Sequence, residues 1–374
     1  MPTAPASHRF ARQAKLKSAL QDRGLEGLVV TNPSNVAYLT GLFASSGAVV
    51  LGQESVTVVT DGRYLGIAQP LVAEMDGVDL VVTPPSKPFD YAVAELIFRF
   101  QKSRVGFEAA HLSYRRHGDI QTGLGRAGGT CSLEPTDGVV ETLRVVKDDW
   151  ELGVLRDAGG RLSEAAKCII PKALAGMKER EVAAVIEAEL RRVGFDKPAF
   201  DTIVASGPNS AVPHYRAGDR VLMVGDLVVL DFGGMFSGYA VDMTRTVTLG
   251  PASHRQRQVL EDVAAAQQAA FEAVQTGAPA TDIDRAARQR MAEAGLAEAF
   301  EHGTGHGLGL DVHERPRIAA FRAELPAEPL EPGMVFTIEP GAYFPGWGGV
   351  RIEDDAALTT SGPIWLTDVP RLWL

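Results

Sequence analysis

The stretch from residue 227 to residue 248, LVVLDFGGMFSGYAVDMTRTVT, constrains the fold more than any other. Two apolar runs joined by a Gly-rich turn are the short-range pattern of a β-hairpin. If Phe236 and Ser237 form the tip, Asp231 lies directly opposite Asp242, at a Cβ separation of about 4.5–5.5 Å. Two carboxylates this close among apolar residues repel each other, and a shared proton or a cation relieves the repulsion. The alternative is another register, with both aspartates in water.

A second stretch, residues 335–358, repeats this arrangement. Its sequence, VFTIEPGAYFPGWGGVRIEDDAAL, reads as two strands around a Gly/Pro-rich turn, and folding it about that turn places Glu339 opposite Glu353. Two carboxylate pairs among apolar residues would cost many kcal/mol if they were left unpaired. Only Arg245 and Arg351 lie close enough in sequence to neutralise them, so bound metal is the simpler explanation.

A third stretch, HGTGHGLGLDVHE at residues 302–314, places His302, His306 and His313 among glycines, which allow close backbone approach. Any one of these histidines alone is more commonly a surface or hydrogen-bonded core residue. A set of two Asp, one His and two Glu is mostly hard oxygen, which suits two divalent ions and favours Mn²⁺ over Zn²⁺. Two such ions can activate water and polarise a carbonyl, so the set predicts metal-assisted hydrolysis. A purely structural cation site would not need the remaining histidines, which can handle charge and protons.

Composition limits the possible partners. The chain of 374 residues has a formal net charge of -10, which argues against general affinity for nucleic acid or an anionic membrane. Its two cysteines are too few for a disulfide framework. The N-terminus is polar and basic without an apolar core, and no run approaches the length of a membrane span. We therefore expect a cytoplasmic protein without a signal peptide.

The order of the predicted elements indicates two domains. Up to residue 140, strands alternate with helices, which predicts an α/β domain that ends in the Gly-rich, non-periodic residues 121–138. From residue 141 to residue 374, four helices frame three strand-rich regions. Thr281 and Asp284 are spaced like a capping pair at the start of the last helix. The predicted helices are 8–23, 64–75, 88–101, 148–174, 178–193, 254–275 and 281–294, and the predicted strands of the first domain are 27–31, 47–51, 56–60 and 80–82.

The segments LDFGG, HGTGHGLGLDVHE, FTIEPG and VRIED resemble those of the pita-bread dinuclear metallopeptidases, which include methionine aminopeptidase, aminopeptidase P and prolidase. The resemblance covers residues 141–374 and implies a pita-bread catalytic domain with two divalent ions per subunit. Mn²⁺ is favoured, with Co²⁺ or Zn²⁺ as alternatives. It also implies a base near the site, Glu339. The implied ligands are Asp242 and Glu353 to both ions, Asp231 to one, and His306 with Glu339 to the other.

The same resemblance implies roles for further residues. His214, in VPHYR, is similar to the histidine that stabilises the reaction intermediate in this family. His302 and His313 resemble the pair that lines the Xaa-Pro pocket, where His313 contacts the substrate carbonyl. Arg351 is shared by aminopeptidase P and prolidase and is expected to bind substrate. Arg63 either reaches a substrate site or subunit contact, or forms a surface salt bridge.

The first domain selects the branch of the family. The segments YLTG, SSGAVVL and TDGRY, within residues 38–64, are similar to the creatinase-like N-domain of Xaa-Pro peptidases. This implies a peptide substrate with proline second, an N-domain that gates the site, and a homodimer. Aminopeptidase P is favoured because SSG and DGRY resemble the small bacterial enzymes, and prolidase is the alternative. A non-catalytic peptide-binding member would have lost ligands, and a creatinase-type C–N hydrolase is disfavoured by the intact set of five.

Overall fold

The computed structural model describes residues 3–100, 103–322 and 328–372. Predicted features that extend to residues 1–2, 101, 323–327 or 373–374 lie outside the described residues there. The chain divides into two compact units, of which one ends at Arg144 and the other begins at Val145, slightly beyond the predicted division at residue 140. Within the described ranges, no helix combines the length and the apolar character needed to cross a bilayer.

The N-terminal unit is a mixed six-stranded sheet with helices, in the order β4-β3-β2-β1-β5-β6. Strand pairs β1–β2 and β2–β3 are antiparallel, whereas β3–β4, β1–β5 and β5–β6 are parallel. The helices are α1 (Ala6–Gln21), α2 (Pro33–Thr40), α3 (Leu65–Ala73), α4 (Phe89–Ile97), α5 (Tyr114–Arg126) and α6 (Val139–Arg144). The strands are β1 (Gly27–Val30), β2 (Gly47–Gly52), β3 (Val56–Asp61), β4 (Val78–Thr83), β5 (Arg104–Glu108) and β6 (Ser132–Thr136).

The predicted α/β class is confirmed for this unit, with one addition and one correction. Helix α2 was not among the predicted helices, and it begins where the Asn32 side chain accepts a hydrogen bond from the Ser34 amide and Pro33 occupies the first turn. Residues 121–138 are not a structureless end, because they contain the last turns of α5 and strand β6. Glycines within α5 had masked its periodicity.

In the described part of the C-terminal unit, four long helices accompany three sheets. Strands β10, β9 and β7 form one sheet with β8 also on β9, strands β12-β11-β13-β16-β17 form the second, and β14 pairs with β15. The helices are α7 (Asp149–Ile169), α8 (Glu179–Arg192), α9 (His254–Glu272) and α10 (Thr281–Glu293). The strands are β7 (Lys197–Pro198), β8 (Ile203–Ser206), β9 (Leu227–Phe236), β10 (Tyr239–Thr248), β11 (Gly305–Gly307), β12 (Glu314–Ile318), β13 (Val335–Ile338), β14 (Gly341–Phe344), β15 (Gly348–Arg351), β16 (Asp354–Thr359) and β17 (Gly362–Trp365).

The helices of this unit start where the sequence predicts. Asp148 and Glu151 form a capping box at the start of α7, with reciprocal bonds of 3.0 Å between each side chain and the other residue's amide. Helices α9 and α10 bury their apolar faces against the second sheet, in a core that includes Val263, Ile283 and Phe336. This packing fixes the strands that carry the site described below.

The predicted register of the first hairpin is wrong by two residues. The tip is Ser237-Gly238, with φ values of 51° and 84°, rather than Phe236-Ser237. A two-residue turn with both φ values positive matches the twist of the flanking strands. Asp242 therefore lies opposite Gly233, and Asp231 opposite Thr244. The two aspartates still share a face as diagonal neighbours, because a shift of two residues preserves the side on which a residue projects.

The predicted register of the second hairpin is confirmed by the ladders that flank it. Gly341 pairs with Arg351 on one side, and Ile338 pairs with Asp354 on the other. Both ladders follow one register, in which Glu339 falls opposite Glu353. Glu353 also forms an isolated bridge to Thr244 of β10, which joins this hairpin to the first.

Candidate metal centre

The structure brings the two hairpins and the histidine-rich stretch together. Oxygen or nitrogen atoms of Asp242, His306 and Glu353 all lie within 4.8 Å of one another. His306 Nε2 is 3.9 Å from Asp242 Oδ2 and 3.7 Å from Glu339 Oε1. Strand β10 positions Asp242, strand β11 positions His306, and the two glutamates lie at the ends of strands. Four of the five predicted ligands therefore converge.

Unsatisfied oxygen atoms test whether this cluster suits a cation. Among the described residues, Oδ1 of Asp231, Oδ1 of Asp242 and Oε1 of Glu353 are buried without a hydrogen-bond partner. Buried carboxylate oxygens are normally paired, because desolvating an unpaired charge is costly. Hard oxygen donors that face one another together with one imidazole are the ligands that divalent ions prefer. The residues present therefore fit bound divalent metal.

The electrostatics of the protein alone agree with this fit. Burial, followed by repulsion from Asp231, raises the pKa of Asp242 well above its usual range. Burial and then repulsion from Asp242 do the same for Glu353. Burial raises the pKa of Glu339 to about 7. Without a cation, these groups resist carrying negative charge together.

Asp231 is the ligand candidate with a protein counter-ion. Arg351 Nη2 donates to Asp231 Oδ2, and both side chains are almost fully buried. The same guanidinium donates to the Tyr343 hydroxyl at 2.8 Å and to Thr244 Oγ1 at 3.2 Å. Arg351, one of the two arginines that the sequence offered as counter-ions, thus neutralises the carboxylate of Asp231. The other arginine, Arg245, pairs with Asp354 instead.

The remaining histidines surround this cluster. His302 Nε2 lies 2.9 Å from the Tyr343 hydroxyl, and burial lowers the pKa of His302 to about 4. The ring centroid of His313 is 4.3 Å from that of His306, and burial lowers the pKa of His313 as well. His214 is exposed, and a positive charge placed on it would lower the pKa of both His302 and Glu339. Of the three, His313 lies directly against a predicted ligand, His306, whereas His302 is connected to Asp231 through Tyr343 and Arg351.

Arg63 belongs to the N-terminal unit. Its guanidinium binds both carboxylate oxygens of Asp61, at 3.0 Å and 2.8 Å, and its side chain is 69% exposed. This is the salt bridge that the sequence offered as one alternative. The other alternative, a substrate or subunit contact, stays a prediction.

Several site residues were not predicted from the sequence. Thr244 Oγ1 donates to Glu353 Oε2 at 2.6 Å, and the amide of Asp242 donates to Asp355 Oδ2 at 3.0 Å. Tyr343 links His302 to the buried arginine. Strand periodicity could have identified all three, because Thr244, Asp355 and Tyr343 lie two or four residues from a predicted ligand and so share its face.

Because the buried carboxyl groups of the site resist ionisation without a cation, bound metal should raise the stability of this protein more at high pH than at low pH. A carboxyl group whose pKa is raised by folding adds stability that is complete below its unfolded pKa and is lost as pH rises through its folded pKa. Glu339 has a folded pKa of about 7, so its contribution to stability is lost as the pH rises through about 7. The folded pKa values of Asp242 and Glu353 are also well above their usual range, so their contributions are lost at raised pH as well. Between pH 6.5 and pH 8.5, we expect the Tm in EDTA to fall and Mn²⁺ to raise it by about 5 °C more at the upper pH.

Differential scanning fluorimetry at both pH values, with EDTA and with Mn²⁺, measures this difference. The range begins at pH 6.5 because His302, with its lowered pKa, stays neutral above it. Glu353→Gln, which removes one buried acid, serves as the matched variant with a flatter Tm profile. An equal Mn²⁺ effect at both pH values would contradict the expectation.

The fold and the ligand set together define a pita-bread metallopeptidase whose catalytic domain follows a creatinase-like domain. Residues 154–360 match the sequence profile described as "Metallopeptidase family M24". Residues 12–146 match the profile described as "Creatinase/Prolidase N-terminal domain". The chain belongs to metallopeptidase family M24, and the predicted family is confirmed.

Individual relatives extend over almost the whole chain. An Xaa-Pro dipeptidase of Pyrococcus furiosus is 34% identical over 96% of this chain and 98% of that protein. The structure of an Xaa-Pro dipeptidase from Bacillus anthracis matches with a TM-score of 0.90 and 32% identity, over 98% of this chain and 99% of that one. The structure of an X-Pro aminopeptidase from Thermotoga maritima matches with a TM-score of 0.84 and 31% identity, over 97% and 99%.

Proposed function

We propose that this protein is a metal-dependent Xaa-Pro dipeptidase. The observation that carries the proposal is the convergence of Asp242 and Glu353, each with a buried and unpaired carboxylate oxygen, on one imidazole, His306. A non-catalytic peptide-binding module would not need this arrangement. The names of the relatives from P. furiosus and B. anthracis favour the dipeptidase alternative over the aminopeptidase P that the sequence favoured.

The proposed division of labour among the residues follows the family resemblance. The chemistry supplied by two divalent ions, with Mn²⁺ favoured over Co²⁺ or Zn²⁺, is activation of water and polarisation of the scissile carbonyl. The carboxylate of Glu339 accepts a proton from the attacking water. The proposed ligands are Asp242 and Glu353 to both ions, Asp231 to one, and His306 with Glu339 to the other.

The neighbouring side chains bind the substrate. His313 and His214 donate hydrogen bonds to the carbonyl oxygen as negative charge develops on it. His302, held against the Tyr343 hydroxyl, lines the proline pocket. Proline lacks an amide hydrogen and has a fixed φ, so a dedicated pocket is required. Arg351 keeps Asp231 oriented and completes the substrate side of the site.

The remaining elements of the proposal rest on the resemblance. The N-terminal domain, residues 1–140 as predicted, gates the site and takes part in a homodimer. Arg63 contributes to substrate selection or to a subunit contact, unless its role ends with the salt bridge to Asp61. We place the enzyme in the cytoplasm and expect peptides, rather than nucleic acid or membrane, as its partners. Aminopeptidase P stays the second candidate, because the similar T. maritima structure is named an X-Pro aminopeptidase.

The length of the substrate distinguishes the two candidates. With Mn²⁺, we expect kcat/KM for an Xaa-Pro dipeptide to exceed that for the matching Xaa-Pro-Xaa tripeptide by about tenfold or more, equivalent to about 1.4 kcal/mol. Initial rates by chromatographic quantification of the released amino acid measure this ratio. The Xaa-Gly dipeptide with the same first residue is the matched control for proline. Preference for the tripeptide would restore the aminopeptidase P assignment.

A further inference from the structure

A pair of side chains on α10, Asp284 and Arg288, reaches the backbone of the segment that carries His302. We propose that this pair positions the candidate site by fixing residues 300–304, so that His302 meets Tyr343 and the amide of Glu339 finds its acceptor. Neither residue belongs to the predicted ligand or substrate set. The effect on catalysis rests on the proposed function, whereas the effect on His302 does not.

The contacts of the pair are specific and repeated along the segment. Arg288 donates from Nη1 to the Phe300 carbonyl at 3.2 Å and from Nη2 to the His302 carbonyl at 2.5 Å. Its Nε donates to Asp284 Oδ2 at 2.7 Å. Asp284 Oδ1 accepts from the Thr304 amide at 3.1 Å and from its hydroxyl at 2.8 Å. Two side chains thus bind every second residue from 300 to 304.

The segment depends on these bonds because it has no ladder of its own. It lies between a short helical turn, Ala297–Ala299, and strand β11. Backbone groups outside regular structure need side-chain or water partners when they are buried. Thr304 is fully buried, and a Cβ at Gly303 would lie 2.9 Å from Ala319 Cβ. The segment therefore follows a tightly packed path whose polar groups are bound by α10.

The spacing of Thr281 and Asp284 predicted a helix cap, and this prediction is wrong. The N-cap residue of α10 is Ala280, and it makes no side-chain capping bond. The Asp284 carboxylate instead faces Thr304 and Arg288, and Asp284 is only 1% exposed. A carboxylate that is buried in this way and bonded to a neighbouring segment is better explained by fixing that segment than by capping its own helix.

From this segment, hydrogen bonds continue to the site in two directions. The Thr304 carbonyl accepts from the Glu339 amide at 2.7 Å, which places the predicted base. His302 Nε2 lies 2.9 Å from the Tyr343 hydroxyl, which accepts from Arg351 at 2.8 Å. Because the arginine also binds Asp231, the path from α10 to a candidate ligand is continuous. Displacement of residues 300–304 would therefore disturb both Glu339 and the contact between His302 and Tyr343.

The same helix provides a matched control. Arg285 pairs with Asp282 at 3.0 Å, and their side chains are 71% and 27% exposed. Arg285→Gln and Arg288→Gln make the same chemical change in neighbouring turns of one helix. An exposed pair contributes little to stability or geometry, so only the second substitution should reach the site.

The experiment reads the imidazole resonances of the full-length protein labelled with ¹⁵N-histidine, and His302 is identified by its loss in His302→Gln. We expect Arg288→Gln to shift the His302 signals and Arg285→Gln to leave them unchanged. With Mn²⁺ and an Xaa-Pro dipeptide, we expect Arg288→Gln to lower kcat by about tenfold, because outer partners of this kind contribute about 10–100-fold in metal enzymes. Arg288→Lys keeps the positive charge but loses the forked geometry of the guanidinium. Its kcat and its His302 signals should lie between those of the wild-type protein and of Arg288→Gln.

Each outcome is decisive. Unchanged His302 signals in Arg288→Gln would overturn the proposal, whatever the activity. Shifted signals with no change in kcat would overturn the catalytic part of it. If the wild-type protein cleaves no Xaa-Pro peptide, the proposed function fails, and the His302 signals still decide the positioning role. If Arg288→Gln does not fold, Arg288→Lys and Thr304→Val, which removes the hydroxyl donor to Asp284, provide the same reading.

Discussion

Asp242→Asn is expected to abolish hydrolysis, with kcat/KM falling by about a thousandfold or more, equivalent to about 4 kcal/mol. Asp242 is 6% exposed, and its Oδ1 has no protein partner. The amide keeps the shape of the carboxylate and removes its charge, and its nitrogen cannot bind a cation. Because Asp242 is proposed to bind both ions, the variant should also lose metal, which elemental analysis after gel filtration measures.

Asp219→Asn is the matched control for this change. Asp219 belongs to the same unit, and its side chain is 66% exposed beside Lys178. We expect this variant to keep wild-type activity and metal content. Full activity in Asp242→Asn would show that the shared-ligand role is wrong, and full metal content with lost activity would limit the role of Asp242 to the reaction itself.

Arg351→Gln is expected to lower the free energy of unfolding of the metal-free C-terminal unit by about 3–5 kcal/mol, because it leaves a buried partner, Asp231, without its counter-ion. The arginine side chain is 4% exposed and binds Asp231, Tyr343 and Thr244. If Asp231 is a metal ligand, as proposed, bound Mn²⁺ would supply positive charge at the same carboxylate, and the loss should then be roughly halved in the metal-bound protein.

Urea denaturation followed by tryptophan fluorescence measures this loss. All four tryptophans lie after residue 145, so the signal reports on the C-terminal unit. Arg180→Gln, which breaks an exposed pair with Asp219, should change the free energy of unfolding by less than about 1 kcal/mol. An equal loss with and without Mn²⁺ would argue against Asp231 as a metal ligand.

The faces of the strands could be predicted from the sequence because side chains alternate with a period of two. Asp231 and Asp242 were placed on one face, and the structure agrees even though their register differs. The error came from the turn, since Ser237-Gly238 can adopt positive φ at both positions and Phe236 cannot do so without strain. The conformational preferences of Ser237 and Gly238 therefore decide the register and the cross-strand partners.

Long-range partners could not be predicted in this way. The contacts from Arg351 to Asp231 and from Arg288 to the His302 carbonyl join residues that local patterns do not relate. Asp284 is an example, because its spacing from Thr281 fits a helix cap as well as it fits the observed bonds to Thr304 and Arg288. Only the packing of α10 beside the 300–304 segment decides which of these bonds forms.

The buried guanidinium of Arg351 has a consequence for the order in which this protein is assembled. The chain carries one cation of its own into the site, and the apolar core that includes Val263 and Phe336 is built from side chains that are not candidate metal ligands. Small zinc domains, in contrast, are unfolded until metal arrives. We therefore expect folding and metal binding to be separable steps, so that a chelator yields a metal-free but folded chain that can be reloaded with a different ion.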